Sequence, residues 1–144
     1  MLRPATTWFS ERGWDVAPFQ RLAWESFLAG KDGLIHSPTG SGKTLAAIVG
    51  PLLERLAEAE PSEGTDPIRV IWITPLRALA SDTAAALREA VEGLGVPFSV
   101  ALRTGDTSAA EKTKQRKKLP SILITTPESL TLLLTHHEVL EQFK

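Results

Sequence analysis

The sequence predicts an α/β fold with a parallel sheet, and three observations lead to this expectation. Short apolar runs rich in β-branched residues recur along the chain. They alternate with longer stretches in which apolar residues return every three or four positions, as on one face of a helix. A polar loop of distinctive composition follows each apolar run. Strands that alternate with helices form parallel sheets through right-handed crossovers, and ligands bind beyond the carboxyl ends of such strands.

The first quarter of the chain is predicted to hold two helices and one strand. Thr6 or Thr7 would cap the first helix, which ends at Gly13. Pro18 suits the first position of the second helix, because proline lacks an N–H that a helix start leaves unused. The apolar run at residues 33–36 is predicted to form the first strand.

The remainder of the chain continues the alternation. The run at residues 68–74 is apolar almost throughout, as expected of a strand covered on both faces. Asp106 or Thr107 would cap a polar helix that carries the basic cluster of residues 112–118. The stretch at residues 60–67 is polar and rich in helix breakers, which predicts an exposed, mobile loop. Further strands are expected at 96–102 and 121–125, and further helices at 45–56, 76–91, 127–134 and 136–143.

The stretch Ser37–Thr44 has the most specific chemistry. It lies between a predicted strand and a predicted helix, the setting in which a Gly-Lys-Thr loop binds phosphate. Gly40 and Gly42 let the backbone curl so that successive N–H groups face an anion. Lys43 would reach the β and γ phosphates, and the Thr44 hydroxyl would bind the Mg²⁺ that bridges them. We therefore predict a nucleoside triphosphate site, in preference to a solvated Gly/Ser turn, formed by Thr39, Gly40, Ser41, Gly42, Lys43 and Thr44.

Composition limits the class of protein. A chain of 144 residues with 42% apolar and 23% charged residues suits a single globular domain. No apolar run approaches 18 residues, so no membrane span is expected. Zero cysteines exclude disulfides and thiolate metal sites and fit a cytoplasmic protein. The net charge of −1 neither favours nor excludes nucleic acid, because binding can rest on a local basic stripe.

Five loops have a composition and an order that can be compared with a known family. They are Pro18-Phe19-Gln20, Ser37–Thr44, Thr74–Ala80, Arg103–Asp106 and Thr125–Leu130. Together they resemble the opening of a superfamily 2 DEXH-box helicase, in the large helicase-related (Lhr-like) group that includes DNA-ligase-associated helicases. The phosphate-loop motif at Ser37–Thr44 alone is shared by many NTPases, whereas five loops in the family's order are much more specific. The resemblance implies that residues 1–144 form part of an N-terminal, three-layer RecA-like ATP-binding domain.

The resemblance assigns further site residues. Gln20 would read the adenine of ATP, since its amide offers one donor and one acceptor to the base edge. A second set would contact the backbone of a nucleic acid strand, with DNA and 3′-to-5′ movement favoured by analogy. Taken singly, each of that set is more often a turn residue or a helix cap. Its members are Pro75, Arg77, Thr104, Gly105, Thr126 and Glu128.

Hydrolysis by such helicases also needs an Asp-Glu pair that ends an apolar strand. None of the five aspartates is followed by glutamate. We therefore expect an N-terminal piece of a longer helicase, truncated before the Walker B strand, that hydrolyses ATP poorly by itself. A missing strand would leave a sheet edge through which the chain could pair with a second copy, besides the rest of its own helicase.

Two other interpretations remain at this stage. The first is a non-motor P-loop protein, such as a small kinase or a nucleotide-dependent regulator, although no lid or acceptor-site residues stand out near residue 144. Equal binding of GTP and ATP would favour it. The second is a chain whose incomplete site binds nothing measurable. The basic cluster at residues 112–118 is interpreted as a solvated helix face, since no aromatic residues interleave with it.

Overall fold

The structure, a computed structural model, describes residues 1–58 and 67–144. These residues fall into two units, Met1–Pro61 with Ala86–Val96 and Ser62–Ala85 with Pro97–Lys144, apart from the residues not described. The predicted loop at residues 60–67 lies, except for Pro67, outside the described residues. The elements are α1 (Arg3–Glu11), α2 (Pro18–Leu28), α3 (Lys43–Ala57), β1 (Val70–Ile73), α4 (Arg77–Leu94), β2 (Val100–Arg103), α5 (Ala109–Lys117), β3 (Ile122–Thr125), α6 (Pro127–Leu133), α7 (His137–Leu140) and a 3₁₀ turn (Glu141–Phe143).

Three parallel strands form a sheet in the second unit, in the order β1-β3-β2. The α/β class with a parallel sheet is therefore confirmed. Register aligns the last residues of the strands, because Ile73 and Arg103 both pair with Thr125. The Thr125 hydroxyl donates a 2.7 Å hydrogen bond to the Arg103 carbonyl oxygen, which fastens β3 to β2 at this edge. The loops that follow the three strands consequently leave the sheet side by side.

The predicted strand at residues 33–36 is not formed. Leu34 is 93% exposed, and none of the three described strands pairs with this segment. A strand exists through hydrogen bonds to a neighbour, so an apolar run without a paired neighbour stays extended but irregular. The loop Ser37–Thr44 is therefore preceded by coil, which corrects the expected strand–loop–helix order.

The expected coverage on both faces is wrong for β1. All four residues of β3 are buried, as a central strand requires. In β1, Ile71 and Ile73 are 37% and 52% exposed and share one face of the strand. β1 lies at an edge of the described sheet, where fewer neighbouring side chains cover an apolar face.

Two helix starts also differ from expectation. α1 begins at Arg3, and the Thr6 hydroxyl donates to the Arg3 carbonyl oxygen at 3.0 Å instead of capping the helix. The cap of α5 is Ser108, whose hydroxyl accepts the Glu111 N–H at 3.2 Å. Thr107 is not free to cap α5, because its hydroxyl accepts the Thr104 N–H at 3.0 Å inside the preceding turn.

Each unit has its own apolar core. In the first unit, Phe9 contacts Trp8, Trp14 and Trp24 edge to face, with ring centroids 5.4–5.6 Å apart. Aromatic pairs in this geometry add stability beyond the area that they bury. In the second unit, a cluster beside β3 consists of Leu119, Leu123, Leu133 and Val139. Among residues 1–58 and 67–144 we find no helix with the length and hydropathy that a bilayer crossing requires.

Candidate functional site

The loop Ser37–Thr44 enters α3 through two glycines with left-handed backbone. Gly40 has φ +77° and Gly42, the N-cap of α3, has φ +93°. Residues with a Cβ adopt such angles only with strain, so glycine is required at both positions. The first hydrogen bond of α3 runs from the Ala46 N–H to the Gly42 carbonyl at 3.0 Å. The preceding N–H groups at the helix start therefore have no acceptor within the helix and, together with the helix dipole, favour an anion.

Side chains of the loop form hydrogen bonds with other residues of the same loop. The Lys43 ammonium donates to the Ser37 carbonyl oxygen at 2.8 Å and so lies back across the loop. The Ser41 hydroxyl donates to the Pro38 carbonyl oxygen at 2.5 Å and lies 2.5 Å from the Ser37 hydroxyl. A phosphate that reached this loop would replace a neutral carbonyl by a charged acceptor for Lys43, and charge-assisted hydrogen bonds are roughly twice as strong.

The residues present fit a nucleoside triphosphate and Mg²⁺. A Cβ built at Gly40 would meet no atom within 4 Å, so the curl of the loop faces open space there. The Thr44 hydroxyl has no hydrogen-bond partner in the described part of the chain and is available as an oxygen ligand. Mg²⁺ characteristically takes one or two protein oxygens beside substrate phosphates.

Helix α2 fixes the junction between the loop and α3. The Gln20 amide donates to the Gly42 carbonyl oxygen at 3.1 Å, and its own oxygen accepts the Ala17 N–H at 2.9 Å. The Trp24 indole donates to the Leu45 carbonyl oxygen at 3.1 Å. Both side chains are nearly inaccessible, with 4% exposure for Gln20 and 0% for Trp24. The predicted adenine reader is thus packed against the phosphate loop, and its role toward adenine stays a prediction.

The six residues predicted to contact nucleic acid all lie in the loops, or at the helix starts, that directly follow β1, β2 and β3. Pro75, Arg77, Gly105 and Glu128 are exposed. Thr104 and Thr126 are buried, and their hydroxyls serve the loops themselves. The Thr104 hydroxyl accepts the Asp106 N–H at 3.3 Å, and Thr126 caps α6 by accepting the Ser129 N–H at 3.4 Å. The sheet brings the six positions to one edge, and four of the six residues are exposed to solvent there.

Arg77 connects two of these loops. It begins α4, after β1, and its guanidinium Nη1 lies 3.2 Å from Oδ1 of Asp106 in the turn after β2. Gly105 makes this possible, since a Cβ there would lie 2.5 Å from Nη2 and 2.8 Å from Cζ of Arg77. The side chains of Arg77 and Asp106 are 60% and 78% exposed, so solvent screens the pair.

A buried arginine sets the position of α5 beside the same turn. Arg103 is 5% exposed, and its Nη1 donates to the Lys112 carbonyl oxygen at 3.1 Å and to the Gln115 side chain at 3.2 Å. The Gln115 amide in turn donates to the Leu102 carbonyl oxygen at 2.8 Å. Burial lowers the pKa of Arg103, and the nearby positive charge of Arg116 lowers it further.

The comparison with family models decides the family. The model of DEAD/DEAH box helicases matches residues 17–144. The chain belongs to the DEAD/DEAH box helicase family. Within that family it is similar to Lhr-Core protein 2, an ATP-dependent helicase of Thermococcus barophilus, with 39% identity over 98% of this chain and 18% of the relative. It is also 39% identical to an Lhr helicase and probable uracil glycosylase of Mycolicibacterium smegmatis, over 89% of this chain and 9% of the relative.

Solved helicase structures agree with this assignment. Lhr of Mycobacterium smegmatis bound to ssDNA and AMP-PNP matches with a TM-score of 0.78 and 34% identity, over 94% of this chain and 18% of that one. The helicase MrfA bound to DNA and AMPPNP matches with a TM-score of 0.77 and 30% identity, over 97% and 19%. This helicase chain therefore spans less than a fifth of the length of these relatives. The resemblance to the Lhr-like group, drawn above from five loops, is confirmed.

Two residues near these loops were not included in the predicted nucleic-acid set. The Lys112 ammonium lies 3.5 Å from the Gly105 carbonyl oxygen, and Asp106 is the ion-pair partner of Arg77. Lys112 was interpreted as part of a solvated basic face, and Asp106 as a helix cap. The spacing of seven residues between Gly105 and Lys112, across a turn and the start of a helix, was the available clue.

Proposed function

We propose that this chain is the ATP-binding part of an ATP-dependent helicase that moves along nucleic acid, with DNA favoured over RNA. Ser37–Thr44 would hold the triphosphate. Lys43 would neutralise the β and γ phosphates and Thr44 would bind Mg²⁺, which when bound offsets charge that develops during phosphoryl transfer. Gln20 would recognise adenine with the amide groups that its contacts to Ala17 and Gly42 leave unused.

The observation that carries this proposal is the backbone at Gly40 and Gly42. Two left-handed glycines lead directly into α3, so that helix-start N–H groups, Lys43 and Thr44 stand at the same loop. A solvated turn would need neither the paired positive φ angles nor the buried contacts of Gln20 and Trp24 that hold the junction. Helicase relatives that carry AMP-PNP support the same interpretation.

The loops after β1, β2 and β3 are proposed to follow the backbone of a single strand. Exposed Arg77 and the main chain at Gly105 offer contacts that do not depend on base identity, which suits a translocating enzyme. The solved Lhr and MrfA structures contain DNA, which supports DNA over RNA. Direction of movement, 3′ to 5′, remains part of the proposal.

The test of the nucleotide site is titration with a fluorescent ATP analogue in the presence of Mg²⁺. Lys43→Ala should weaken binding at least ten-fold, because a charge-assisted contact contributes roughly 1.5–3 kcal/mol. Lys31→Ala removes the same charge from an exposed position ahead of the loop and should leave affinity within two-fold. Equal losses in both variants, or none in Lys43→Ala, would contradict the proposed site.

Competition by unlabelled nucleotides separates the helicase proposal from the non-motor alternative. ATP should displace the analogue better than GTP, and this preference should shrink in Gln20→Ala. Membership of a helicase family speaks against a small kinase or regulator. A chain that binds GTP and ATP equally would reopen that alternative.

The proposal includes weak activity of the isolated chain. The sequence holds no Asp-Glu pair to bind Mg²⁺ and orient water, so ATP turnover far below helicase rates is expected. The proposed partners are the rest of a helicase chain and, through the exposed sheet edge at which β1 leaves Ile71 and Ile73 uncovered, a second copy. Steady-state phosphate release and sedimentation velocity would measure these two properties.

A further inference from the structure

Two cationic side chains converge on the turn after β2. The Arg77 guanidinium lies against Gly105 on the side where a Cβ would stand, and the Lys112 ammonium lies 3.5 Å from the Gly105 carbonyl oxygen. Within the described residues, the carboxylate that forms an ion pair with Arg77 is that of Asp106. A guanidinium, an ammonium and an exposed glycine main chain make a suitable group of donors for a phosphate oxygen.

We propose that Arg77, Lys112 and Gly105 bind one phosphate of the nucleic acid backbone, and that the Asp106 carboxylate occupies the place of this phosphate until the strand displaces it. This inference rests on the proposed nucleic-acid function of the same edge. It adds Lys112 as a contact residue and assigns Asp106 as an internal competitor that lowers affinity.

The geometry supports competition in preference to a purely structural ion pair. Arg77, at the start of α4, reaches Asp106 across Gly105, where a Cβ would lie 2.5 Å from Nη2 of Arg77. The turn itself is held without Asp106's carboxylate, by the Thr104 and Thr107 hydroxyls. Because both partners are mostly exposed, the pair is weak enough for a phosphodiester to replace it.

The position of Lys112 follows from the hydrogen bond between the buried Arg103 in β2 and the backbone of α5. Arg103 holds the Lys112 carbonyl oxygen, so the helix carries the Lys112 side chain toward Gly105 instead of away from the sheet. Lys117, at the end of the same helix, is exposed and has no such contact within the described residues. These two lysines therefore form a matched pair for experiment.

The experiment measures binding of the chain to fluorescein-labelled oligo(dT) by anisotropy over a series of salt concentrations. Asp106→Asn should tighten binding about two- to five-fold, the range that an exposed ion pair allows. Arg77→Ala and Lys112→Ala should each weaken it several-fold and reduce the salt slope by about 0.7, the value per phosphate contact on single strands. Controls of equal charge change are Asp82→Asn and Lys117→Ala, and both should have smaller effects.

A double variant separates competition from simple repulsion. In the Arg77→Ala background, Asp106→Asn should gain no more affinity than Asp82→Asn does, because no cation is left to release. If Arg77→Ala weakens binding while Asp106→Asn equals its control, the competitor role is wrong and the proposed function stands. If Lys112→Ala equals Lys117→Ala, the phosphate site as drawn is wrong. Absence of any oligo(dT) binding by the unsubstituted chain would reject both.

Discussion

Replacing Gly42 by alanine tests most directly how α2 supports the loop Ser37–Thr44. The substitution places a Cβ at a residue with φ +93° and 2.5 Å from Nε2 of Gln20. Left-handed backbone at a residue other than glycine costs about 1–3 kcal/mol. The Gln20 amide must also move away from the Gly42 carbonyl, and losing that hydrogen bond removes about 0.5–1.5 kcal/mol. We expect the free energy of unfolding to fall by about 2–4 kcal/mol.

Gly40→Ala is the matched control for this substitution. Gly40 has φ +77°, and a Cβ there meets no atom within 4 Å, so only backbone strain applies. The difference between the two variants, about 1 kcal/mol, therefore measures the contact with Gln20. In a Gln20→Ala background the amide is gone, and the additional loss caused by Gly42→Ala should fall to that of Gly40→Ala.

The assay is urea unfolding followed by tryptophan fluorescence. A Trp72→Phe background confines the signal to Trp8, Trp14 and Trp24, which all belong to the first unit. A difference of about 1 kcal/mol shifts the midpoint by roughly 0.3–1 M urea. Equal stability of the Gly42 and Gly40 variants, or an unchanged difference after Gln20→Ala, would refute the idea that α2 holds the loop through this amide.

Three further substitutions probe packing and hydrogen bonding within each unit. Thr125→Val keeps the side-chain volume but leaves the Arg103 carbonyl without its 2.7 Å donor, and the free energy of unfolding should fall by about 1–3 kcal/mol. Gln115→Leu removes an acceptor from the buried Arg103 guanidinium and should lower it by roughly 1.5–3 kcal/mol, again by urea unfolding. Gly93→Ala would gain about 0.5–1 kcal/mol of helix propensity, yet its Cβ would overlap Nε1 of the packed Trp8, so a net loss in thermal unfolding is expected.

The sheet edge shows what a sequence can predict well. Runs of β-branched residues bounded by prolines and polar residues identified β3, and alternation of strands and helices implied that all strands run parallel. The loops that begin at Thr74, Thr104 and Thr126 were placed at one edge from topology alone, and the register confirms it. The identity of β3 follows from the residue pattern within a short segment. The parallel arrangement follows from the order of strands and helices and from the right-handed crossovers that connect them.

The errors share a different cause. Residues 33–36 have the composition of a strand, but a strand forms only with a paired neighbour, and none of the described strands pairs with this segment. The contact of Lys112 with the Gly105 carbonyl oxygen was not predicted, because the position of Lys112 depends on a hydrogen bond from the buried Arg103. The cap of α5 moved from Asp106 to Ser108 because Asp106 is engaged by Arg77. Each outcome depends on contacts between distant residues, which periodicity does not reveal.

Gln20 has a role predicted from the sequence, toward adenine, and a contact found only in the structure, with the loop Ser37–Thr44. A primary amide has two N–H donors and two acceptor lone pairs, and the structure uses one of each, toward Gly42 and Ala17. One donor and one acceptor remain, which is the pair that an adenine edge requires. Holding the loop therefore leaves one donor and one acceptor for the proposed contact with adenine, on a side chain that is 4% exposed in this structure, and Gln20→Ala removes both contacts at once. Gly42→Ala displaces the amide while the side chain remains, so a loss of adenine preference shared by both variants would mean that base recognition depends on the loop contact.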